Sequence, residues 1–473
     1  MRTPVLPTRR RATTAHPHRQ ALIALCLSQI TSWGIVFYAF PVLATAIATD
    51  TGWSYPAIMG SFSAGLATSA LAGVPVGRLL DRWGPRPVMT TGSVLAVASL
   101  AVVSFAGSPA WFAMAWIGCG VAQAGIFYKP AVAAVTAWFG AGRVKALTIL
   151  MLAGGLASTV FAPVTAALMQ HLTWRETYLV LALTLAAITI PLHAICLRSP
   201  WQPPPAPSRG QAHRDRLPRT PQFIILAASF ALGAFAIFTA LICLVPLLQE
   251  QGMSVTVAAW ALGLSGFGQV LGRLGYGTLV KHTSVTGRTA GVLIAGGIAT
   301  SAIGFVSSPV SAVMALVLLT GALRGAFTLL EATAVADRWG TSGFGLRYGI
   351  FSLPSTLAIS ISPWAGTVIA SWLNGYSALF GWLGVVGIAA AFLAVLATYF
   401  ARRTAPGQLA SAFESDQNAP LRIGSAGRGS RLNFARFPAR GGQSGQESAL
   451  GLGRLGRLGR TRHTRLRPET NGT

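Results

Sequence analysis

Long apolar segments, separated by short polar ones, repeat along most of this 473-residue chain. An apolar segment of about 18 residues or more predicts a transmembrane helix, because about 20 helical residues cross the hydrocarbon core of a bilayer. The sequence contains two sets of six such segments. They lie near residues 21–47, 56–80, 87–107, 110–138, 145–170, 176–197, 222–249, 256–280, 289–306, 310–337, 348–373 and 377–400.

Polar segments divide the chain into five predicted parts. The segment between the two sets contains Pro203-Pro204-Pro205 and four arginines, which predicts a flexible cytoplasmic linker. The C-terminal segment is rich in Gly, Ser and Arg, which predicts a disordered cytoplasmic tail. The parts are a basic cytoplasmic N-terminus (1–19), a first six-helix bundle (20–198), the linker (199–220), a second six-helix bundle (221–403) and the tail (404–473).

The two halves carry traces of an internal repeat. Gly77 and Gly140 each recur, with some of their neighbours, 200 positions later as Gly277 and Gly340. Parallel halves related by an axis along the membrane normal are a recurring transporter architecture. The sequence therefore predicts an all-α membrane protein of twelve transmembrane helices in two pseudo-symmetric six-helix bundles.

Composition and charge exclude several classes of protein. Charged residues make up only 10% of the chain, whereas soluble domains have about 25%. The formal net charge of +25 suggests nucleic-acid binding, but the basic residues lie in loops on one side of the predicted membrane and the other side has only Arg175. This asymmetry predicts a multi-pass protein of the cell's inner, cytoplasmic membrane with both termini cytoplasmic. We expect the lipid bilayer, and no nucleic acid, as its surroundings.

Catalytic and cofactor chemistry is not indicated by any motif. The four cysteines fall within predicted spans without metal or redox spacing and are interpreted as packing residues; they are Cys26, Cys119, Cys196 and Cys243. We find no phosphate-binding loop and no nucleophile with an adjacent base. The predicted protein is not an enzyme, needs no cofactor, metal or ATP, and works as a monomer.

A loop motif follows the second apolar segment. Residues 77–86 read Gly-Arg-Leu-Leu-Asp-Arg-Trp-Gly-Pro-Arg, which resembles the loop signature G-x-L-x-D-R-x-G-x-R of the major facilitator superfamily. Trp33-Gly34, Gly52-Trp53-Ser54, Trp138-Phe139 and Trp174-Arg175 resemble its monocarboxylate-porter branch and the bacterial relatives of that branch. The resemblance implies the major facilitator fold and a gating motif that latches the halves in the outward-facing state. The gating residues are Gly77, Asp81, Arg82, Gly84 and Arg86.

Other features of this region limit the resemblance. A basic membrane anchor would explain the arginines but not Asp81. The second-half copy has Lys281 where an acid is expected, so only one half carries a full motif. The fourth-span arginine of proton-coupled drug exporters is missing, and their fifth-span motif is reduced to Gly154-Gly155 and Ala162-Pro163. Both departures weaken a drug-exporter interpretation.

Three ionisable residues lie deep within apolar segments: Lys129, Arg324 and Glu331. A charge at the centre of a membrane helix costs about 2.5–3.5 kcal/mol on insertion scales, so such residues indicate a functional pathway. Lys129 and Glu331 lie at depths that differ by about 3 Å at 1.5 Å per residue. Arg324 and Thr328 share the helical face of Glu331. Pro130 predicts a kink beside Lys129, because its ring clashes with the carbonyl of Ile126.

We hypothesise that Arg324 binds a substrate carboxylate and that Glu331 pairs with Lys129 when the site is free. An arriving anion competes for the cations and favours protonation of Glu331, which couples protons to the anion. The resemblance places spans one, four, seven and ten around the cavity. Predicted substrate-binding residues are Arg324, Lys129, Gln29, Trp33, Tyr38, Thr239 and Thr328, and the predicted proton-coupling residue is Glu331. The alternatives are a buried ion-pair network that only fixes packing, and polar side chains that join helices.

The sequence thus predicts a secondary active transporter that moves a small, monocarboxylate-like organic anion by alternating access, with proton symport. Its partners are the small-molecule substrate and protons. The alternative is proton-driven efflux of an amphipathic or xenobiotic compound. A non-transporting membrane sensor or scaffold with the same fold also stays open.

Overall fold

The computed structural model describes residues 15–201, 220–340 and 344–417. Within these ranges every regular element is helical, and twelve helices are long and apolar enough to cross a membrane, which confirms the predicted fold class. We number these spans in chain order. They are α1 (His18–Thr51), α2 (Tyr55–Trp83), α3 (Pro85–Ser104), α4 (Pro109–Phe139), α5 (Arg143–Leu168), α6 (Trp174–Cys196), α7 (Pro221–Ile242), α8 (Val255–His282), α9 (Val285–Phe305), α10 (Val310–Trp339), α11 (Leu346–Trp372) and α12 (Tyr376–Phe400).

The termini and the linker are only partly described. Residues 1–14, 202–219, 341–343 and 418–473 lie outside the described residues, and with them most of the predicted N-terminal segment, linker and tail. The last helix, Tyr376–Gln417, extends beyond its membrane span. Residues 404–417, which the sequence assigns to the tail, belong to this helix in the structure.

Most connections between spans are short, so successive spans cross in alternate directions. Two faces of the molecule result. We call the face at which α6 ends and α7 begins the linker face; it also carries Gly84 and Gly140. We call the opposite face the far face; it carries the loops Gly52–Ser54 and Leu373–Gly375.

Side-chain caps explain where several spans begin. Ser108, Thr173, Thr220, Ser254 and Ser284 each accept a hydrogen bond from a backbone N–H three residues later. Such caps satisfy one of the four free N–H groups at a helix start. The polar residues between apolar segments therefore define the helix boundaries as well as the loops.

The fourth span is broken at the position predicted from Pro130. One helix ends at Ile126, Phe127 is extended with ψ −161°, and a second helix begins at Tyr128. Pro130 has no N–H to donate to the Ile126 carbonyl, and Gln29 of α1 donates its Nε2–H to that oxygen at 2.8 Å instead. The predicted kink is confirmed as a full interruption of the helix.

Glycines set the closest helix packing in the second half. Gly268 and Gly272 of α8 face Gly321 and Gly325 of α10. A Cβ atom on any of the four would overlap a backbone carbonyl oxygen of the other helix. Small residues at such contacts let the two backbones approach and gain dispersion energy, which is the main packing force in a membrane.

The first half repeats this contact between α2 and α4. A Cβ atom on Gly120 of α4 would overlap the Gly65 carbonyl oxygen of α2, and a Cβ atom on Gly65 would lie 2.7 Å from the Trp116 carbonyl oxygen. Equivalent helix pairs in the two halves are thus packed through glycine, in agreement with the predicted internal repeat.

We expect Gly272→Ala to destabilise the protein by about 1–3 kcal/mol, because the added methyl group forces α8 away from α10. Thermal unfolding of the purified protein and its elution profile in detergent measure this effect. Gly277→Ala is the matched control on the same helix, since a Cβ atom there meets nothing within 4 Å. Equal stability of the two variants would contradict the packing argument.

Candidate functional site

Arg273, within the α8 span, links the two halves. Its Nη1 donates to the Met151 carbonyl of α5, and its Nε donates to Thr328 Oγ1 of α10 at 3.4 Å. A Cβ atom on Gly155 of α5 would lie 3.2 Å from Nη1, so glycine leaves room for the guanidinium. One cation therefore contacts both halves at once.

Arg273 was not among the residues predicted from the sequence. It lies 18 residues past Val255, where α8 begins, and Lys129 lies 19 residues past Ala110. The depth count that identified Lys129 would also have identified Arg273.

Aromatic residues of α1 and α4 surround this position. The Trp33 ring stacks on Phe127 with centroids 3.9 Å apart, and its centroid is 5.3 Å from that of Tyr128. The Tyr128 hydroxyl lies against Gly154 and interacts with Arg273. The break at Phe127 places these rings here, because the second part of α4 begins at Tyr128. Trp33, a predicted substrate-binding residue, thus packs against Tyr128, which was not predicted although it lies next to Lys129 and Pro130 in the sequence.

Arg324 of α10 is almost fully buried, with 4% of its surface exposed. Its Nη2 donates to Gln269 Oε1 at 2.9 Å and to the Ser265 carbonyl at 3.3 Å, both on α8. Arg273 of α8 and Tyr38 of α1 are close enough to interact with it electrostatically. The structure thus brings Arg324 and Tyr38 near Arg273, and gives Arg324 two neutral partners on α8 that were not predicted.

Lys129 and Glu331 do not meet. Lys129 is exposed, and its Nζ lies beside Gly73 of α2. Glu331 is half-buried and lies next to Ser355 and Tyr348 of α11. The single ion pair within the described ranges joins Arg288 to Asp337.

The predicted pair of Lys129 with Glu331 is therefore absent from this structure. The prediction counted residues along a straight helix. Because α4 is interrupted at Phe127, that count does not give the direction in which Lys129 points.

The remaining predicted polar residues have separate positions. Gln29 donates its Nε2–H to the Ile126 carbonyl, which is a structural role. Thr328 accepts from Arg273 and donates to the Gly325 carbonyl at 2.8 Å. Thr239 is buried against Gly366 of α11, and its Oγ1 has no hydrogen-bond partner among the described residues.

The gating motif contacts the chain that follows α6. Gly84 has φ +80°, and a Cβ atom there would lie 2.8 Å from the Trp201 ring. Trp201 Nε1 donates to the Asp81 carbonyl at 3.0 Å, and Arg86 Nε donates to the Ala194 carbonyl at 2.9 Å. This loop is thus fixed within its own half.

The other groups of the gating motif make fewer contacts. A Cβ atom on Gly77 meets nothing within 4 Å, so no helix contact requires glycine there in this conformation. Arg82 lies 6.0 Å from the Trp83 ring. Within the described residues the Asp81 carboxylate makes no hydrogen bond or ion pair, so it is not bonded to the second half here.

Hydrogen bonds between the halves lie toward the far face. Thr45 donates to Gln249 at 2.9 Å, Gln170 to Thr256 at 3.3 Å, and the Trp364 N–H to Ser63 at 3.0 Å. Thr159 donates to the Gly263 carbonyl at 2.9 Å. The hydrogen bond from Arg273 to Met151 lies farthest from the far face. The described residues make no hydrogen bond between the halves that is nearer the linker face. The two halves are joined at the far face in this conformation.

Twelve spans in two similar halves, with cations between them, define a membrane transporter fold. The sequence matches the Major Facilitator Superfamily over residues 25–312, and the chain belongs to that family.

Relatives support this class. The chain is 27% identical over 319 residues to the fujikurins efflux protein of Gibberella fujikuroi, covering 66% of this chain and 67% of that protein. It is 25% identical over 367 residues to monocarboxylate transporter 13 of Bos taurus, covering 75% and 82%. These relatives are transporters rather than enzymes.

A solved structure shares the fold. A bacterial homolog of the human lysosomal transporter Spinster, in an inward-facing and occupied conformation, superposes with a TM-score of 0.61 at 17% identity. The match covers 82% of this chain and 97% of that one.

We expect Trp201→Ala to loosen the gating loop, because it removes both the ring against Gly84 and the hydrogen bond to the Asp81 carbonyl. Hydrogen–deuterium exchange of the amides in residues 79–88 should become faster. Trp201→Phe keeps the ring and loses only the hydrogen bond, so exchange should be intermediate. Unchanged exchange in Trp201→Ala would show that the loop does not depend on this contact.

Proposed function

We propose that this protein is a secondary transporter of a small organic anion of the monocarboxylate class, and that Arg273 binds the substrate carboxylate. A guanidinium presents several N–H donors in one plane and binds a carboxylate in a bidentate manner. The observation that carries the proposal is the position of Arg273, in contact with Met151 of the first half and Thr328 of the second.

The contact with Met151 suggests how binding acts on the conformation. In this conformation Arg273 donates one N–H to a carbonyl of the other half. Among the described residues, no carboxylate lies within 4 Å of the Arg273 guanidinium. An anion that takes over this N–H weakens one contact between the halves. Substrate binding and the arrangement of the halves are then coupled.

Neighbouring groups complete the proposed site. Arg324 is held on α8 through Gln269, and the exposed Lys129 attracts anions. Tyr38 and Tyr128 offer hydroxyl groups near the arginines. Trp33 provides an apolar wall for the rest of the substrate.

Glu331 is proposed as the proton-coupling residue. The other acids of the described spans lie within a few residues of a span end, whereas Glu331 lies eight residues before Trp339. Its neighbours are hydroxyl groups of α11, so protonation there changes the contact between α10 and α11. Intramembrane acids of this kind serve proton relays in transporters.

The transport cycle is proposed to be alternating access in a monomer, without ATP. The present conformation, joined at the far face, is one of its two states. In the other state the far-face hydrogen bonds break, and Asp81 contacts the second half. The positive-inside rule assigns the linker face and both termini to the cytoplasm, and the protein to the cytoplasmic membrane.

Efflux of an amphipathic compound is the second candidate. The stacked Trp33 and Phe127 form an aromatic wall beside the cations, which suits a substrate with an apolar body. The similarity to a fujikurins efflux protein agrees with this candidate. Competition of short acids against amphipathic dyes in liposomes separates the two.

Arg273→Gln should lower the initial uptake of the transported acid by about tenfold or more, because hydrogen bonds to a charged group contribute about 1.5–3 kcal/mol. The measurement is a panel of labelled monocarboxylates in proteoliposomes. Arg143→Gln is the matched control, since Arg143 is exposed at the start of α5. Uptake that survives in Arg273→Gln would exclude this residue as the carboxylate anchor.

Glu331→Gln should abolish the response of uptake to an imposed pH gradient while exchange of labelled substrate at equal pH continues. Glutamine resembles the protonated acid and cannot release a proton. Glu250→Gln is the control, because Glu250 accepts from the N–H groups of Tyr376 and Ser377 at the far face. A pH response retained in Glu331→Gln would remove this residue from the coupling mechanism.

A further inference from the structure

A small cavity lies inside the second bundle, beside Arg324. Its volume is about 30 Å³. It is lined by residues of α7 to α10 and α12 together with Leu244, and most of them are apolar. Its polar lining residues are Arg324, Ser265, Thr300 and Thr320, and Gly296 also lines it.

The charge of Arg324 is not balanced by any acid that the structure describes. Its two hydrogen-bond acceptors, Gln269 Oε1 and the Ser265 carbonyl, are neutral. Its Nε is buried and has no hydrogen-bond partner among the described residues. A buried ion without a partner costs several kcal/mol, so a small anion beside Arg324 stabilises the second bundle.

The size of the cavity restricts the ligand. A volume of about 10–15 Å³ is enough for one water molecule, whereas pockets for organic ligands are about 300–1,000 Å³. A cavity of about 30 Å³ therefore has room for an ion as small as a halide. Thr300 also lines the cavity, and its hydroxyl makes no hydrogen bond to a described residue.

We propose that this cavity is a halide site, at which chloride accepts hydrogen bonds from Arg324 Nε and the Thr300 hydroxyl. The site is separate from the carboxylate site at Arg273. The ion neutralises Arg324 within the second bundle and leaves Arg273 as the cation available to the substrate.

The test measures thermal unfolding of the purified full chain in detergent, at constant ionic strength, as sodium gluconate is replaced by sodium chloride or bromide. The melting temperature should rise with halide and saturate, as expected for a ligand that binds only the folded state. Gluconate is too large for the cavity. Identical melting curves in chloride and gluconate would overturn the proposal and leave water as the occupant.

Gly296→Ala supplies the decisive comparison. A Cβ atom on Gly296 meets nothing within 4 Å, so the methyl group enters the cavity without a clash and without any change of charge. The halide-dependent rise should disappear in this variant. Gly291→Ala is the matched control on the same helix, since its Cβ atom also meets nothing and Gly291 does not line the cavity.

Two further variants locate the site. Thr300→Val should raise the halide concentration for half-maximal stabilisation by about tenfold, which corresponds to the loss of one hydrogen bond to an ion. Arg273→Gln should keep the full halide effect while it loses substrate uptake, so failure of one proposal is distinguishable from failure of the other. An unchanged halide effect in both Gly296→Ala and Thr300→Val would place the ion elsewhere and overturn the assignment.

Discussion

The close approach of α8 and α10 determines the arrangement of the two arginines between these helices. Four glycines let the two backbones touch, so side chains of α8 and α10 lie side by side. Arg324 can then reach Gln269 and Ser265, and Arg273 can reach Thr328. Larger residues at the glycine positions would separate the helices and leave both guanidinium groups without these acceptors.

The break in α4 has a comparable effect in the first half. Pro130 removes one backbone hydrogen bond, Gln29 replaces it from α1, and the chain turns at Phe127. The turn sets Tyr128 beside Arg273 and stacks Trp33 on Phe127. A single proline thus determines which aromatic side chains face the cation that joins the halves.

The fold was largely predictable from the sequence, because membrane spans depend on length and hydrophobicity alone. The twelve spans, the loop motif and the Pro130 kink all follow from local patterns. The site was less predictable. Lys129 and Glu331 were paired by counting along a straight helix, and the interruption at Phe127 invalidates that count.

Contacts between distant segments explain the other misses. Trp201 lies 120 residues after Asp81 in the sequence, and no local pattern indicates that it packs on the loop around Asp81. Arg273 was identifiable by its depth, but its link to Met151 depends on how two helices of different halves pack.

The far-face contacts have a consequence for how the two halves separate. Thr45, Gln249, Gln170, Thr256 and the other bonding groups there are all uncharged. Salt screens interactions between ions and scarcely affects neutral hydrogen bonds. Salt therefore does not itself weaken the hydrogen bonds that close this face, and its effect on opening must act through the charged groups deeper between the halves.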